Sequence, residues 1–356
     1  ETTDTIGRAF DLTYDDYIEI RNFQFKTYMS AIHTETGSEY LHLENLYGIQ
    51  FGKWDDLHNT FGIYLDGDYC TVKNCMMADA GDNDYRIQGD NNLFDNCQAY
   101  MFTEPNGYFF LVEGHYNTLQ NCVARMYTPN PISGQGFGSR NGQYNNFINC
   151  EAHTMNYALY VRWPNTAYNT FTNCTVYAKS GLVMRDGAHH NTFDRCKVIG
   201  GNFGIAFYDS IEHGKNDPCA YDNTIQNCTF ENVQYNVIRL HVAPGNYSST
   251  VQNNKIINCT ASGAEWVFKD AMPSSGNEVI NCIFEDINTW LDPNNTGTAY
   301  PLNFSFDHCN FYDTPPWPVN PDTSNIIDLN PDFVDKANGD FHLNSTSPCI
   351  NAGTSM

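Results

Sequence analysis

The chain has 356 residues, and its 41 Asp and Glu against 18 Lys and Arg give a formal net charge of -23. A surface this acidic repels nucleic acid and anionic membranes, so neither is an expected partner. No apolar run approaches the roughly 18–20 residues of a membrane-spanning helix, and membrane insertion is therefore not expected either.

A six-residue pattern recurs along most of the chain and reads Asn, any residue, apolar, any residue, Asn, Cys. It begins without the cysteine at residues 18–23 and 41–46 and is partial at residues 72–75 and 306–309. The fuller copies start at Asn92, Asn117, Asn145, Asn169, Asn191, Asn223, Asn254 and Asn277. The ten cysteines of this ladder are 22 to 32 residues apart, and a period of about 20–50 residues indicates a repeat architecture.

Each copy alternates apolar and other residues, as Phe94, Cys97 and Ala99 illustrate, between turns rich in Gly, Asn and Asp. Such runs indicate short β-strands, and no window of useful length has the period of a helix. A coil of about 26 residues has room for three strands and three turns, and such coils stack about 4.8 Å apart around a narrow apolar core. The sequence therefore predicts an all-β, right-handed parallel β-helix, a solenoid of about twelve coils.

The repeated Asn and Cys have structural explanations. Asn is expected at turns, where it tolerates a left-handed backbone and hydrogen-bonds the backbone or the Asn of the next coil. The ladder cysteines are expected to be reduced and buried, because stacked side chains that point the same way are poorly placed for disulfides. No role is assigned to the remaining cysteines, Cys70, Cys219 and Cys349.

Charged residues gather on the outward face of a second strand in each coil. Stacking its copies, with Arg86 and Arg239 close beside them, gives a column of Asp66, Gln88, Glu113, Arg140, Arg162, Arg185, Tyr208 and Lys269. Arginines in successive coils repel one another unless an anion lies across them, so we expect an anionic ligand. A further column, three residues after the ladder cysteines and expected to flank the same groove, contains Tyr100, Arg125, His153 and Tyr177.

The pattern is lost after Cys309, where the chain becomes rich in proline between residues 315 and 318. Solenoids need an atypical terminal segment to cover the open core. We therefore expect residues 1–312 to form the β-helix and residues 313–356 to form a C-terminal capping segment of the same domain.

The Asn–x–apolar–x–Asn–Cys coils, together with a closing segment at residues 330–335, 339–343 and 347–353, resemble the β-helix superfamily of carbohydrate-active lyases and hydrolases. Within it, the chain resembles the disaggregatase-type β-helix domain of methanogenic archaea. The resemblance implies an extracellular or cell-surface enzyme that depolymerises an acidic, uronate-containing polysaccharide. A homo-oligomer is compatible with the resemblance.

The outward columns suit such a ligand. Arg pairs with carboxylates through two parallel hydrogen bonds, and aromatic faces stack on the apolar faces of sugar rings. Besides Tyr64 and Trp163, the residues expected to bind the polysaccharide are Arg86, Tyr100, Arg125, Arg140, Tyr160, Arg185, Tyr177 and Tyr208.

Hydrolysis is one expected reaction, and the family resemblance favours it. It would use Asp66 and Glu113 as the catalytic carboxylates, because they are two coils, roughly 10 Å, apart in one column, which suits inversion. Asp186 and Asp209 are reserve carboxylates.

β-Elimination on the same substrate class is the alternative. There Arg162 would neutralise the uronate carboxylate, and His153 or Tyr177 would remove the C5 proton. A non-catalytic glycan-binding or cell-surface module is a further alternative. No cofactor is required, although calcium assists related lyases and four acidic residues could hold it if they are not turn formers: Asp79, Asp82, Asp84 and Asp90.

Overall fold

The computed structural model describes residues 7–26, 28–51, 60–102, 107–127, 134–210, 218–242, 249–269, 272–291, 304–315 and 324–354. The chain divides into two compact units, Glu1–Lys179 and Ser180–Met356. The described part of the first unit has seven coils of three strands each. None of the described residues forms a helix with the length and hydrophobicity of a membrane span.

The strands of the first unit alternate with turns throughout its described length. In chain order they are β1 (Arg8–Leu12), β2 (Glu19–Arg21), β3 (Gln24–Lys26), β4 (Ser30–Thr34), β5 (His42–Glu44), β6 (Tyr47–Phe51), β7 (Phe61–Leu65), β8 (Thr71–Lys73), β9 (Met76–Ala80), β10 (Asn83–Ile87), β11 (Leu93–Asp95), β12 (Gln98–Met101), β13 (Tyr108–Val112), β14 (Thr118–Gln120), β15 (Val123–Met126), β16 (Gln135–Arg140), β17 (Asn146–Ile148), β18 (Glu151–His153), β19 (Tyr157–Arg162), β20 (Thr170–Thr172) and β21 (Thr175–Tyr177).

Every third strand belongs to the same parallel sheet. Sheet A is formed by the strands that precede the repeated cysteine position in each coil: β2, β5, β8, β11, β14, β17 and β20. Sheet B is formed by the strands that follow this cysteine position: β3, β6, β9, β12, β15, β18 and β21. Sheet C contains β1, β4, β7, β10, β13, β16 and β19. Inward side chains stack coil over coil, as Phe147 and Phe171 do with ring centroids 4.3 Å apart, so the predicted parallel β-helix is confirmed.

The second unit repeats the same scheme in five further coils within its described residues, followed by a short hairpin. Its strands are β22 (Ser180–Arg185), β23 (Ala188–His189), β24 (Thr192–Asp194), β25 (Lys197–Ile199), β26 (Phe203–Asp209), β27 (Ala220–Tyr221), β28 (Thr224–Gln226), β29 (Thr229–Glu231), β30 (Asn236–Val242), β31 (Val251–Gln252), β32 (Lys255–Ile257), β33 (Thr260–Lys269), β34 (Ser274–Ser275), β35 (Asn277–Ile280), β36 (Ile283–Leu291), β37 (Phe304–Asp307), β38 (Asn310–Tyr312), β39 (Ile326–Ile327), β40 (Phe333–Asp335) and β41 (Asp340–Leu343), with a 3-10 turn at Lys336–Asn338.

The repeated asparagines form two ladders. The first Asn of each pattern is buried: Asn117 donates its backbone N–H to the side-chain oxygen of Asn145 at 2.8 Å, and Asn145 donates likewise to Asn169 at 3.0 Å. The second Asn is left-handed, with φ of 53° at Asn149 and 54° at Asn173. Asn173 donates its amide to the side-chain oxygen of Asn149 at 2.8 Å. Both expected roles of Asn are thereby confirmed.

All thirteen cysteines are free, and all but the half-buried Cys349 are buried. The ladder thiols donate to carbonyls of the preceding coil, as Cys97 does to Val72 at 3.4 Å. The predicted reduced core stack is therefore confirmed.

The described part of the C-terminal segment lies along the flank of the second unit. Thr354 donates its backbone N–H to the Asn281 side chain at 2.8 Å, and the Lys336 ammonium lies 3.0 Å from Glu285. β39 pairs in parallel with β38 and so extends the coil stack. Residues 316–323 lie outside the described residues, and the boundary at residue 312 stays a prediction.

Candidate functional site

The outer face of sheet C in the first unit has two rows of residues, most of them polar or aromatic. The first row is His33, Tyr64, Arg86, Leu111, Gly138 and Tyr160. The second row, two residues further along each strand, is Asp66, Gln88, Glu113, Arg140 and Arg162. The predicted column therefore has the expected register in this unit, because the strands pair in parallel without slippage.

Glu113 is the centre of an ion-pair network on this face. Arg86 Nε lies 2.9 Å and Gln88 Nε2 lies 2.8 Å from one carboxylate oxygen, and Arg140 Nε lies 2.8 Å from the other. Burial alone would raise the pKa of Glu113, but the charges of Arg140 and Arg86 outweigh it, so this pKa lies below its usual value. Glu113 is thus an anion that the protein itself supplies to Arg86 and Arg140, and these two arginines do not need a ligand to offset their charge.

A cavity of about 340 Å³ opens beside this network at the N-terminal end of the face. It is lined by Arg8, Met29, Ser30, His33, Phe61, Tyr64 and Arg86. The rings of His33 and Tyr64 are stacked with centroids 4.5 Å apart, and the Arg86 guanidinium lies 5.7 Å from the centre of the Tyr64 ring. The cavity therefore combines two cations, an imidazole and a phenol.

His33 is neutral at physiological pH in this environment. Burial, and then the charge of Arg8, lower the pKa of His33 to about 4. Its ring makes no hydrogen bond to any described residue, and the side chain lies in the cavity wall with 8% of its surface exposed. Burial, and then the charge of Asp66, raise the pKa of Tyr64, whose hydroxyl donates to Gln88. Tyr64 therefore keeps its proton.

The other end of the face is more enclosed than expected. Tyr160 is fully buried, and its ring lies over Gly138, where an added Cβ would come within 1.7 Å of the Tyr160 ring. Tyr160 therefore cannot stack on a sugar as predicted. Arg162 is only 7% exposed, and its guanidinium and that of Arg140 lie 5.3 and 4.8 Å from the centre of the Trp163 ring. Arg162 therefore keeps its place in the second row but is largely covered by packing, and little of it is accessible to a ligand.

Asp66 lies at the edge of the same face and is half-buried. Its carboxylate accepts a hydrogen bond from the Thr36 hydroxyl at 2.9 Å. Gln88 stands between Asp66 and Glu113 in the row, as expected for carboxylates two coils apart. Their catalytic roles stay a prediction, although the lowered pKa of Glu113 makes it a poor proton donor.

The second predicted column has the expected register on sheet B. Tyr100, Arg125, His153 and Tyr177 are successive partners on neighbouring strands. Arg125 lies 3.3 Å from His153 Nε2, and the His153 and Tyr177 rings are stacked at 4.8 Å. His153 also lies 3.1 Å from Glu151. These contacts stay within sheet B, so a groove shared with sheet C, and the roles of these residues, stay predictions.

The second unit has its own cluster at the equivalent strands. The Arg185 guanidinium lies 4.5 Å from the centre of the Tyr208 ring, which stacks on His241 at 5.0 Å. Arg185 is buried and bonds Asp186 at 3.0 Å. The reserve carboxylates Asp186 and Asp209 are fully buried, so neither faces a ligand as the hydrolysis hypothesis requires.

Two predicted placements are wrong. Lys269 pairs with Arg239, two residues before the position of Tyr208 and His241, because the strand leading to it lacks an intervening turn. The calcium hypothesis also fails: among the described residues, no three His, Cys, Asp or Glu side chains converge to hold a metal ion. Asp84 is fully buried, which raises its pKa well above the usual range, whereas Asp79 and Asp90 accept hydrogen bonds from backbone N–H groups.

Sequence reasoning missed Arg8 and His33. Both lie in coils that have no ladder cysteine, so the cysteine register does not place their outward residues. The signal was present in β4, where Ile32 and Thr34 are inward and His33 between them is in register with Tyr64.

Residues 102–217 match the family model described as a right handed beta helix region. A comparison with curated protein sequences finds no match. Among solved structures, the chain is similar to the catalytic domain of a GH87 alpha-1,3-glucanase in complex with tetrasaccharides, at 14% identity and a TM-score of 0.58. That likeness covers 87% of this chain and 65% of the other, so the chain spans just under two thirds of the glucanase domain.

The chain is also similar to a PL6 family polysaccharide lyase from Pseudopedobacter saltans, at 11% identity and a TM-score of 0.58. This likeness covers 97% of the present chain and 96% of the lyase. At such identities the likeness establishes architecture, and the chain has the right-handed parallel β-helix fold of these carbohydrate-active enzymes.

Proposed function

We propose that the protein degrades an acidic, uronate-containing polysaccharide, and that the polysaccharide is cleaved in the cavity around His33. One observation carries the proposal: a neutral imidazole, a protonated phenol and two guanidinium groups line the same cavity. The similarity in fold to a glucanase and a polysaccharide lyase supports polysaccharide degradation as the general activity.

β-Elimination is the reaction that these groups suit best. Arg86 uses only its Nε for Glu113 among the described residues, which leaves its terminal nitrogens to pair with a uronate carboxylate. Neutralising that carboxylate acidifies the C5–H bond, and the neutral His33 accepts the C5 proton. The C4–O bond then breaks, a C4–C5 double bond forms, and Tyr64 protonates the departing glycosidic oxygen.

The lowered pKa of His33 is compatible with this role. Burial and then the charge of Arg8 hold the imidazole neutral, and they outweigh the opposing charge of Asp11, which lies 2.8 Å from Arg8. A bound carboxylate offsets the charge of Arg8, which raises the pKa of His33 and strengthens it as a base. Glu113 then has a positioning role, since it orients Arg86 toward the cavity.

The test is to incubate the protein with polygalacturonate, alginate and a glycosaminoglycan while following ultraviolet absorbance and new reducing ends. Elimination yields both signals, because the unsaturated uronate absorbs, whereas hydrolysis by Asp66 and Glu113 yields reducing ends alone. We expect His33→Gln to lose at least about a hundredfold in rate. His42→Gln is the matched control, because His42 lies in sheet A against Glu44, and it should keep wild-type activity.

If new reducing ends form without an increase in ultraviolet absorbance, the reaction is hydrolysis and the elimination proposal is wrong. Binding without any shortening of the polymers would favour a non-catalytic glycan-binding module. The same proposal includes an extracellular or cell-surface location, because acidic polysaccharides of this kind occur outside the cell. Immunodetection of the protein on intact cells tests this location. A homo-oligomer is tested by light scattering.

A further inference from the structure

A column of exposed tyrosines runs along the turn between sheets C and A of the first unit. They occupy equivalent turn positions in six coils: Tyr17, Tyr40, Tyr69, Tyr116, Tyr144 and Tyr168. All six have a left-handed backbone, with φ between 55° and 59°, which bulky residues rarely adopt and which strains each by about 1 kcal/mol. Their exposed fractions run from 41% to 76%. Strained and exposed tyrosines at six equivalent positions indicate a surface with a purpose beyond packing.

The column is interrupted at one coil. The lower stack consists of Tyr17, Tyr40 and Tyr69, and the upper stack of Tyr116, Tyr144 and Tyr168. Successive rings are 5.0 to 5.4 Å apart within each stack and nearly parallel. Between the stacks the turn position is taken by Asn91, whose φ of 58° matches that of the tyrosines. The backbone bonds of the column pass through Asn91 without a break.

The missing ring leaves a slot between two aromatic faces. Two coil steps of about 4.8 Å place the rings of Tyr69 and Tyr116 roughly 10 Å apart. Ring-to-ring contact needs about 4.5–5 Å on each side, so the slot has room for one six-membered ring. Tyr69 and Tyr116 are 50% and 56% exposed, compared with 44% for Tyr40 and 41% for Tyr144, which have neighbours on both faces.

Polar groups at the slot narrow the choice of ligand. Asn91 is exposed, and its amide makes no hydrogen bond to any described residue, so it can bind a hydroxyl group. Asp68 and Asp90 directly precede Tyr69 and Asn91, and the Asp68 carboxylate accepts the Asp90 N–H at 2.6 Å. Two carboxylates beside the slot disfavour a uronate.

We propose that this slot binds one neutral pyranose ring of a glycan, with Tyr69 and Tyr116 against its two C–H faces and the Asn91 amide on its hydroxyls. A chair-shaped ring is the right thickness for the gap, and its apolar faces match the aromatic walls. The slot lies on a different turn from the cavity around His33. Its binding therefore stands whether or not that cavity cleaves a glycan.

The test is titration calorimetry of the full chain with cellohexaose, laminarihexaose and xylohexaose, with hexagalacturonate as the acidic comparison. At least one neutral hexaose should bind saturably and more tightly than the acidic one. Asn91→Tyr fills the slot and should weaken binding at least about tenfold. Its thermal midpoint should stay within about 2 °C of the wild-type value, because the two new ring contacts offset the strain of a left-handed tyrosine, so a loss of binding cannot be ascribed to unfolding.

Tyr116→Ala removes one wall and should also weaken binding about tenfold. Tyr144→Ala is the matched control, since Tyr144 has the same backbone and a similar exposure but does not border the slot, and its affinity should stay within about twofold. Failure of every neutral hexaose to bind, or wild-type binding by Asn91→Tyr, would overturn the proposal. So would self-association that Asn91→Tyr abolishes, because a second copy would then be the occupant.

Discussion

Replacing Glu113 by Gln tests whether this carboxylate is a structural counterion. The substitution removes the charge that faces Arg86 and Arg140, although it keeps the size of the side chain. The side chains of Glu113, Arg86 and Arg140 are only 13%, 21% and 19% exposed. Breaking a buried ion pair costs about 3–5 kcal/mol, and partial exposure places the loss of unfolding free energy here at about 3 kcal/mol.

That loss converts into a measurable shift. At about 2.1 cal/mol/K per residue, a chain of 356 residues unfolds with an entropy of about 0.75 kcal/mol/K. The thermal midpoint should therefore fall by about 4 °C. Glu278→Gln is the matched control, because Glu278 is 41% exposed and pairs with Lys255 at 3.1 Å. An exposed pair contributes about 0–1 kcal/mol, so the control should shift the midpoint by about 1 °C or less.

The pH dependence gives a second readout. The folded pKa of Glu113 lies below its unfolded value of about 4.3. Its stabilising effect is therefore fully present above about pH 5 and is lost as the pH falls through the folded pKa. The gap between wild type and Glu113→Gln should narrow over that acidic range in urea titrations. A variant with wild-type stability and no activity would refute the counterion role and return Glu113 to the catalytic role expected from the sequence.

Three further outcomes follow from the described contacts. The His33 ring should remain neutral to about pH 4 in NMR titration. Because this folded pKa lies below the unfolded value of about 6.5, the wild-type protein should lose stability as the pH falls from about 6.5 to 4. His33→Gln should lack this part of the pH dependence of stability. Asn145→Ala should cost about 2–4 kcal/mol in urea unfolding, since Asn145 bonds three neighbouring groups, whereas the exposed Asn165→Ala should cost less than about 0.5 kcal/mol. A thiol reagent should label native Cys349 first, and equal labelling of all cysteines would contradict the buried ladder.

The fold and the sheet B column followed from the sequence because both depend on short, constant offsets. Arg125 and His153 each lie three residues after a ladder cysteine, with no insertion between, so their pairing could be read directly. Sheet C is joined to sheet B by segments of variable length. Because of that variation, the sequence alone does not specify that Lys269 pairs with Arg239.

The repeat pattern does not predict which outward side chains are buried or ion-paired, because both properties depend on which side chains meet across neighbouring coils. Gly138 leaves the space in which the Tyr160 ring lies flat on the outer face of sheet C, and this is a property of two neighbouring coils together. The same holds for Glu113, which satisfies Arg86 and Arg140 from the coil between them. A column of residue types therefore specifies neighbours without specifying which of them face solvent.

The buried asparagine ladder also makes the number of coils adjustable. Each ladder Asn presents the same acceptor to the coil before it and the same donor to the coil after it, as Asn117 does between Asn92 and Asn145. Deleting residues 117–144 would place Asn145 opposite Asn92 with an equivalent bond available. A β-helix of this kind can thus gain or lose whole coils, and change the length of its outward rows, without a new solution for its interior.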